Sequence, residues 1–499
     1  MKKQELLTQL REYQSLMNAY KLALTTMNYD AYTIAPKDGA GYRNQMFSIL
    51  YRKMLELTTD PKYIDIIQQL AREKDNTPEL KRELELALRD YQKYKNVPPE
   101  LIQAFSKLTN DANDVWEAAK NNNDYASFEP YLKDILELSK KMYRYREGCE
   151  DLYDCYLDDF EPKLTQVSFG QFADLIEEKL VPLVKAIHQL QLKRPAFLSR
   201  KVSIDKQKQI IELLKDYLDF SDNFSYVSIS AHPFSSTFSI NDTRITTAFD
   251  ENDWTDSMFS LIHEIGHSTY NHQVNLNYEG TLLADSMSMG MHESQSRLLE
   301  NNLGRTKAFW TTLYPKLEEL LPEVLHDVSL DDFIYGINFS RISLIRTQAD
   351  ELTYPLHILI RYRLEQEMIK HDQLDDLNLL WANSYEKFLG IRPENDSLGI
   401  LQDVHWSGGA FGYFPTYALG SAIACQLMAQ MKKDIDVETL LKTNQFKVIK
   451  AWLKENVHHY GALYDTDQWL EKITNEPFNP NYYIDYLIDK YSKLYRITL

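Results

Sequence analysis

Glycine and proline are scarce in this chain, at 16 and 17 of 499 residues. That excludes collagen-like and low-complexity architectures and leaves few enforced turns. Cysteine is scarcer still. Cys149, Cys155 and Cys425 are too few and too scattered for a disulfide framework or a zinc ribbon, and all three are expected as reduced thiols, the neighbouring Cys149 and Cys155 included. No run of 18 apolar residues occurs, so no transmembrane span is expected. The opening Met1-Lys2-Lys3-Gln4-Glu5-Leu6 has no apolar h-region, so a cytoplasmic location is expected. Positive charge is in deficit: 55 Lys and Arg against 73 Asp and Glu give a formal charge of −18. This argues against nucleic acid and anionic membrane as partners and suits a soluble cytosolic enzyme.

What the chain does have is 44% hydrophobic residues, enough for a large core. Residues from about 1 to 220 read as successive long amphipathic helices. Breaks fall near Ala35-Pro36-Lys37-Asp38-Gly39, Asn96-Val97-Pro98-Pro99 and Glu147-Gly148. Glu79 to Tyr94 predicts a highly charged helix with a solvated face. Tyr226 to Ser230, Ser236 to Ile240 and Arg244 to Thr247 alternate apolar and polar, which predicts strands. The chain then reads as helical to its end, except for Gly399 to Gly420, a Gly-, His-, Trp- and Tyr-rich loop entering a helix. One mainly α domain spanning 1–499, with a small sheet, is the simplest architecture.

His263-Glu264-Ile265-Gly266-His267 is the most informative stretch. On a helix, histidines four residues apart share a face and can share a metal ion. Glu264 projects beside them, where it can deprotonate the attacking water. Asp250-Glu251-Asn252-Asp253 supplies cap candidates, and Met258, Leu261, Ile262 and Ile265 form an apolar stripe opposite the histidines. Gly266 weakens a helix interior by about 1 kcal/mol relative to Ala. Its compensation is expected to be the close approach of another backbone, such as a strand carrying substrate.

A catalytic zinc needs three protein ligands and an open position. Glu293, 26 residues after His267, is the third candidate, on a helix predicted from about Leu282 to Leu303. Met287, Met289, Met291, Leu298 and Leu299 suggest that this helix is buried, where an ionised Glu needs a cation. His272 is five residues from His267 and points off the metal face.

Several motifs in order resemble the carboxypeptidase Taq family of metallocarboxypeptidases. They are His232-Pro233-Phe234, Asp242-Thr243-Arg244-Ile245-Thr246, the H-E-x-x-H, His292-Glu293-Ser294-Gln295, Ile345-Arg346-Thr347-Gln348-Ala349-Asp350 and Gly399-Ile400-Leu401-Gln402-Asp403-Val404-His405-Trp406, followed by Gly412-Tyr413-Phe414-Pro415-Thr416-Tyr417. They cover about 230–425 densely. The N-terminal half matches more loosely: Tyr29 stands where a Trp is usual, and Ala35 where a Met is usual.

The resemblance implies a mostly helical fold with a deep cleft, a homodimer, and removal of single residues from peptide C-termini with broad specificity. Zinc, with cobalt as a substitute, is the expected metal, held by His263, His267 and Glu293. Glu264 is the expected general base. Tyr413 and His232 are candidates to stabilise the oxyanion, with His405 near the substrate's last residue. A free carboxylate is best read by a guanidinium. Arg346 is the favoured anchor, although it could pair with Asp350 one turn later; Arg244 is then a support or the cleft-end wall. Asp403 is a candidate to orient an imidazole. Two other readings compete: a helical zinc oligoendopeptidase without a carboxylate clamp, and a non-enzymatic binding protein with a degenerate metal site.

Overall fold

The computed structural model describes residues 2–371 and 374–497; Met1, where the first predicted helix begins, lies outside them. Four helices open the chain: α1 (Lys2–Thr33), α2 (Ala40–Thr58), α3 (Pro61–Ala71) and α4 (Pro78–Tyr94). The predicted breaks all fall between elements. A single 3₁₀ turn spans Lys37–Gly39, Pro99 starts the next helix, and Gly148 takes φ +77° after the helix Tyr125–Tyr143. Leu6 and Leu10 of α1, Tyr63, Ile64, Ile66, Ile67 and Leu70 of α3 and Leu84 and Ala87 of α4 form a small core of their own. The main core is separate and runs from Ala112 to Tyr495. No described helix is long and apolar enough to cross a membrane.

α4 departs from the expected solvated face. Glu83 is buried and accepts from Gln14 at 2.7 Å and from Arg11. Arg82 reaches Asp465 far along the chain. The charges on this helix therefore tie the N-terminal layer to the rest of the protein.

The three predicted strands are present: β1 (Ser225–Ile229), β2 (Ser235–Ser239) and β3 (Asp242–Thr247). They order as β1-β3-β2, with β1 parallel and β2 antiparallel to β3. β3 packs directly on the helix Trp254–His272 through a hydroxyl contact between Thr243 and Ser268 and another from Thr247 to the Ser257 carbonyl. Short polar bonds between a strand and a helix fix the sheet's height along that helix.

Two further expectations change. Cys149 and Cys155 form a disulfide, with Cα atoms 5.8 Å apart, because the loop before the helix Leu152–Phe160 folds back over that helix's first turn. The helix predicted from Leu282 to Leu303 is three pieces: a single turn Leu282–Ala284, an α-helix Met289–Arg297 and a π-helical run Leu298–Leu303. The break has two causes, one local and one distant. Ser288 caps the α-helix by accepting from Met291 N at 2.9 Å, and the buried Glu161 carboxylate accepts from Gly290 N at 3.0 Å. A Cβ at Gly290 would sit 2.5 Å from Glu161 Oε2, so any larger residue there would push that carboxylate aside.

Candidate metal centre

The helix Trp254–His272 places its apolar stripe as expected: Met258, Leu261, Ile262 and Ile265 are fully buried. Asp253 occupies the N-cap position, but its carboxylate accepts from Thr255 and Arg194 and not from the helix backbone. Gly266 has the close neighbour its conservation of space demands, though of a different kind from the strand expected. A Cβ there would lie 2.6 Å from the Gln295 carbonyl and 2.7 Å from Ser296 Cα. The neighbour is the helix Met289–Arg297 that carries Glu293. The glycine thus lets the two ligand-bearing helices touch backbone to backbone. Gly420, on the helix Pro415–Asp434, leaves room for Glu293 from the other side; a Cβ there would lie 2.6 Å from Glu293 Cβ and Cγ.

Pressed together in this way, His263 Nε2 and His267 Nε2 stand 3.7 and 3.5 Å from Glu293 Oε2. All the offered ligand atoms lie within 4.8 Å of one another. Two imidazole nitrogens and one carboxylate oxygen are a donor set suited to zinc. The ring orientation fits a cation as well. His263 Nδ1 is 3.0 Å from Glu300 Oε2. Burial works against ionisation of Glu300, but His263, Arg297 and Arg305 outweigh it and hold its pKa below the usual carboxylate range. An ionised carboxylate only accepts, so Nδ1 carries the hydrogen and Nε2 keeps its lone pair for a metal. The same arginine steadies Glu293: Arg297 Nε donates to Glu293 Oε1 at 2.6 Å, and Arg297 also reaches Glu300 at 3.2 Å. Burial opposes a charged Glu293, yet Arg297 and the two histidines keep its pKa low. His267 is held differently. Its ring stacks on His292 at 4.2 Å, and its buried Nδ1 has no hydrogen-bond partner among the described residues.

Glu264 is 6% exposed, and its Oε2 is a buried oxygen without a hydrogen-bond partner among the described residues. Burial, its largest influence, raises its pKa; the adjacent histidines and Ser235 of β2 pull the other way. A carboxylate so placed can take and return a proton.

The remaining predicted residues divide into two groups. Tyr413, His405 and Arg346 form one wall, which Tyr417, not itself predicted, completes. The Tyr413 ring packs against Tyr417 at 5.3 Å, His405 at 5.4 Å and Phe160 at 5.0 Å. Burial raises the pKa of both Tyr413 and Tyr417, and the charge of Glu293 reaches both phenols. His405 Nε2 is 3.3 Å from the Tyr417 hydroxyl. Burial first, and then Arg346, push its pKa down to about 4, so its ring is neutral. The second group lies at the sheet. Arg244 is braced by Asp242 through two bonds of 2.9 and 2.8 Å and lies flat on Phe238, as a supporting role requires. His232 is exposed on the β1–β2 loop, and its imidazole makes no hydrogen bond among the described residues.

Arg346 does not pair with Asp350. The chain makes only a single 3₁₀ turn at Arg346–Gln348, and Asp350 accepts from Ser340 and from the Arg341 and Thr353 backbone. The partner of Arg346 is Asp403, at 2.9 Å, and Arg361 holds the other oxygen of Asp403 at 2.6 Å. Asp403 therefore does not orient an imidazole; both its oxygens are spent on guanidiniums. Arg361 and Glu300 were not foreseen from the sequence. The signal for Glu300 was a charged stripe, Glu293, Arg297 and Glu300, at i, i+4 and i+7 on an otherwise buried helix. His272 points away as expected, bonding the Ile240 carbonyl and stacking on Phe224.

Residues 9–491 match the sequence profile of the carboxypeptidase Taq (M32) metallopeptidases. The chain belongs to this family. It is 38% identical to carboxypeptidase 1 of Bacillus subtilis (strain 168) over 480 residues, covering 95% of this chain and 96% of that one. It is 35% identical to thermostable carboxypeptidase 1 of Pyrococcus furiosus, covering 94% and 95%. The crystal structure of the M32 carboxypeptidase from Deinococcus radiodurans R1 superposes with a TM-score of 0.95 at 31% identity, covering 99% and 100%. As a member of this M32 family the protein is a metal-dependent peptide hydrolase, and its helical fold with one small three-stranded sheet is that of solved M32 enzymes.

Proposed function

We propose that this M32 enzyme is a zinc carboxypeptidase that removes single residues of broad type from the free C-termini of peptides, with cobalt able to replace zinc. The observation that carries the reading is the meeting of His263, His267 and Glu293 beside the buried, unpartnered oxygen of Glu264. Those three residues would hold the cation, which when bound supplies Lewis acidity to the scissile carbonyl and to the attacking water. Glu264 takes the proton from that water and delivers it to the leaving amine. Tyr413, whose phenol feels the charge of Glu293, donates to the oxyanion; His232 on the exposed β1–β2 loop is the second candidate donor.

The carboxylate anchor is Arg346. Two guanidiniums share the single carboxylate of Asp403, which leaves one positive charge in excess in a buried place. The other free group of Arg346, NH1, donates only to the neutral Tyr354 hydroxyl at 3.1 Å. A substrate carboxylate is the stronger acceptor and can replace it. His405 flanks the last substrate residue, and Arg244 walls the far end.

The same reading takes the protein as a cytoplasmic homodimer acting on peptides, with the −18 charge disfavouring nucleic acid. The test is a mass-spectrometric ladder from a panel of free peptides, before and after chelation and after zinc or cobalt is returned. Stepwise loss from the C-terminus that stops on chelation and resumes with metal supports the reading. Internal cuts without a ladder point to an oligoendopeptidase, and no cleavage after metal loading to a binding protein.

A further inference from the structure

Glu365 lies fully buried on the helix Tyr354–Lys370, with no cation bonded to it among the described residues. An unpaired buried carboxylate is costly unless hydrogen bonds replace its water. Three do. Oε1 accepts from Trp406 Nε1 at 2.8 Å, while Oε2 accepts from Gly412 N at 3.0 Å and from the Tyr153 hydroxyl at 2.8 Å. Trp406 is the neighbour of His405, and Gly412 is the neighbour of Tyr413. One carboxylate therefore grips the substrate-side loop at both ends.

The third donor extends the grip. Tyr153 belongs to the helix Leu152–Phe160, which touches the same loop twice more. A Cβ at Gly412 would lie 2.7 Å from the Tyr156 backbone, and Phe160 meets the Tyr413 ring edge-on at 5.0 Å. The next residue, Glu161, bonds Gly290 N at the start of the helix that carries Glu293. The helix Leu152–Phe160 is thus a strut with the substrate loop along its side and the metal-bearing helix at its end.

We propose that Glu365 is a positioning residue that sets His405 and Tyr413 at their working distance from the metal ligands, by fixing their loop to this strut. The proposal rests on the reading of Tyr413 and His405 as substrate-side groups. The choice of residue has a chemical reason. An indole N–H and a backbone N–H can only donate, and here they approach different oxygens of one side chain. Glutamine has one accepting oxygen. If that oxygen serves Gly412 and Tyr153, the amide NH₂ must face the Trp406 N–H, donor against donor.

This gives a test with a built-in rescue. Zinc-loaded wild type, Glu365→Gln, Trp406→Phe and the double variant are compared for kcat and KM on a free peptide, and for zinc affinity by competition with a chromophoric chelator. A buried unsatisfied donor predicts a loss of about 10- to 100-fold in kcat/KM for Glu365→Gln, carried mainly by kcat, with zinc affinity within about twofold of wild type. Trp406→Phe removes the opposed donor, so the double variant is expected to recover activity relative to Glu365→Gln. Wild-type turnover by Glu365→Gln, or a double variant worse than both singles, overturns the proposal. So does a fall in zinc affinity that matches the fall in activity. If Glu365→Gln does not fold, Tyr153→Phe replaces it: a lower kcat with unchanged zinc affinity supports the role, and wild-type kcat refutes it. Absence of hydrolysis by the loaded wild type fails the carboxypeptidase reading itself, and the proposal with it, and is seen before any variant is compared.

Discussion

The two sides of the proposed site are built on different plans. The metal side is local: two helices, a pentapeptide and one glutamate, locked where Gly266 lets the backbones touch. The substrate side is assembled from afar. Arg346 and Arg361 converge on Asp403 through buried ion pairs, and Glu365 accepts from the Gly412 backbone beside Tyr413. The difference teaches where each function is vulnerable. Loss of a metal-side ligand should cost the cation; damage on the substrate side should leave the cation and cost recognition or turnover.

The sharpest way to break this division is His263→Ala set against Glu264→Gln. His263→Ala removes a ligand, and both zinc and activity are expected to be lost, as metal analysis and peptide assay would record. Glu264→Gln is expected to keep zinc and to lose about 10²- to 10⁴-fold in kcat. If Glu264→Gln lost the metal as well, the base would instead be part of its binding. Next in size, Arg346→Met should lower kcat/KM for free peptides by about 10²-fold, the scale of a lost buried charge contact, with zinc retained. Loss of zinc in that variant would erase the division between the two sides. Glu300→Gln tests the metal side from outside the ligand set. About 10- to 100-fold weaker zinc binding is expected, measured by chelator competition. Unchanged affinity would leave the orientation of His263 to packing alone.

The smallest effect concerns Glu161, whose burial pushes its pKa up to about 7 from an ordinary 4.5. The folded protein then holds a proton there more tightly than the unfolded chain does. This contribution to stability is complete below about 4.5 and is lost as pH rises toward about 7. Glu161→Gln mimics the protonated form, and the Thr466 hydroxyl can reverse to accept from the amide. The variant should therefore show a shallower decline in thermal midpoint over that interval than wild type. An identical decline would mean that Glu161 does not titrate there.

The metal side was legible because its information is local. Helical spacing placed His263, Glu264 and His267, and the buried character around Glu293 marked a carboxylate in need of a cation. The sheet was legible from alternation in the same way. Gly266 announced a close contact, but its partner is the Glu293 helix and not a strand, because a glycine reports only that space is short. The substrate side was only half legible. The motif around Arg346 was visible, yet its pairing with Asp403, whose other oxygen Arg361 holds, joins segments dozens of residues apart, and no local period encodes that. The Cys149–Cys155 disulfide escaped for a similar reason: the turn that joins them follows from how one loop folds over the next helix. The break before Met289 was hidden too, since it is set by Glu161, more than a hundred residues upstream.

The central claim is that a metal centre cuts where the buried Arg346, sharing Asp403 with Arg361, reads a free carboxylate. The most direct measurement uses one peptide in two forms, with a free and with an amidated C-terminus, incubated with zinc-loaded wild type and Arg346→Met and followed by mass spectrometry. The account predicts that wild type removes the last residue of the free peptide and leaves the amide nearly untouched, and that Arg346→Met narrows this preference. Equal cleavage of both forms by the wild type would contradict it.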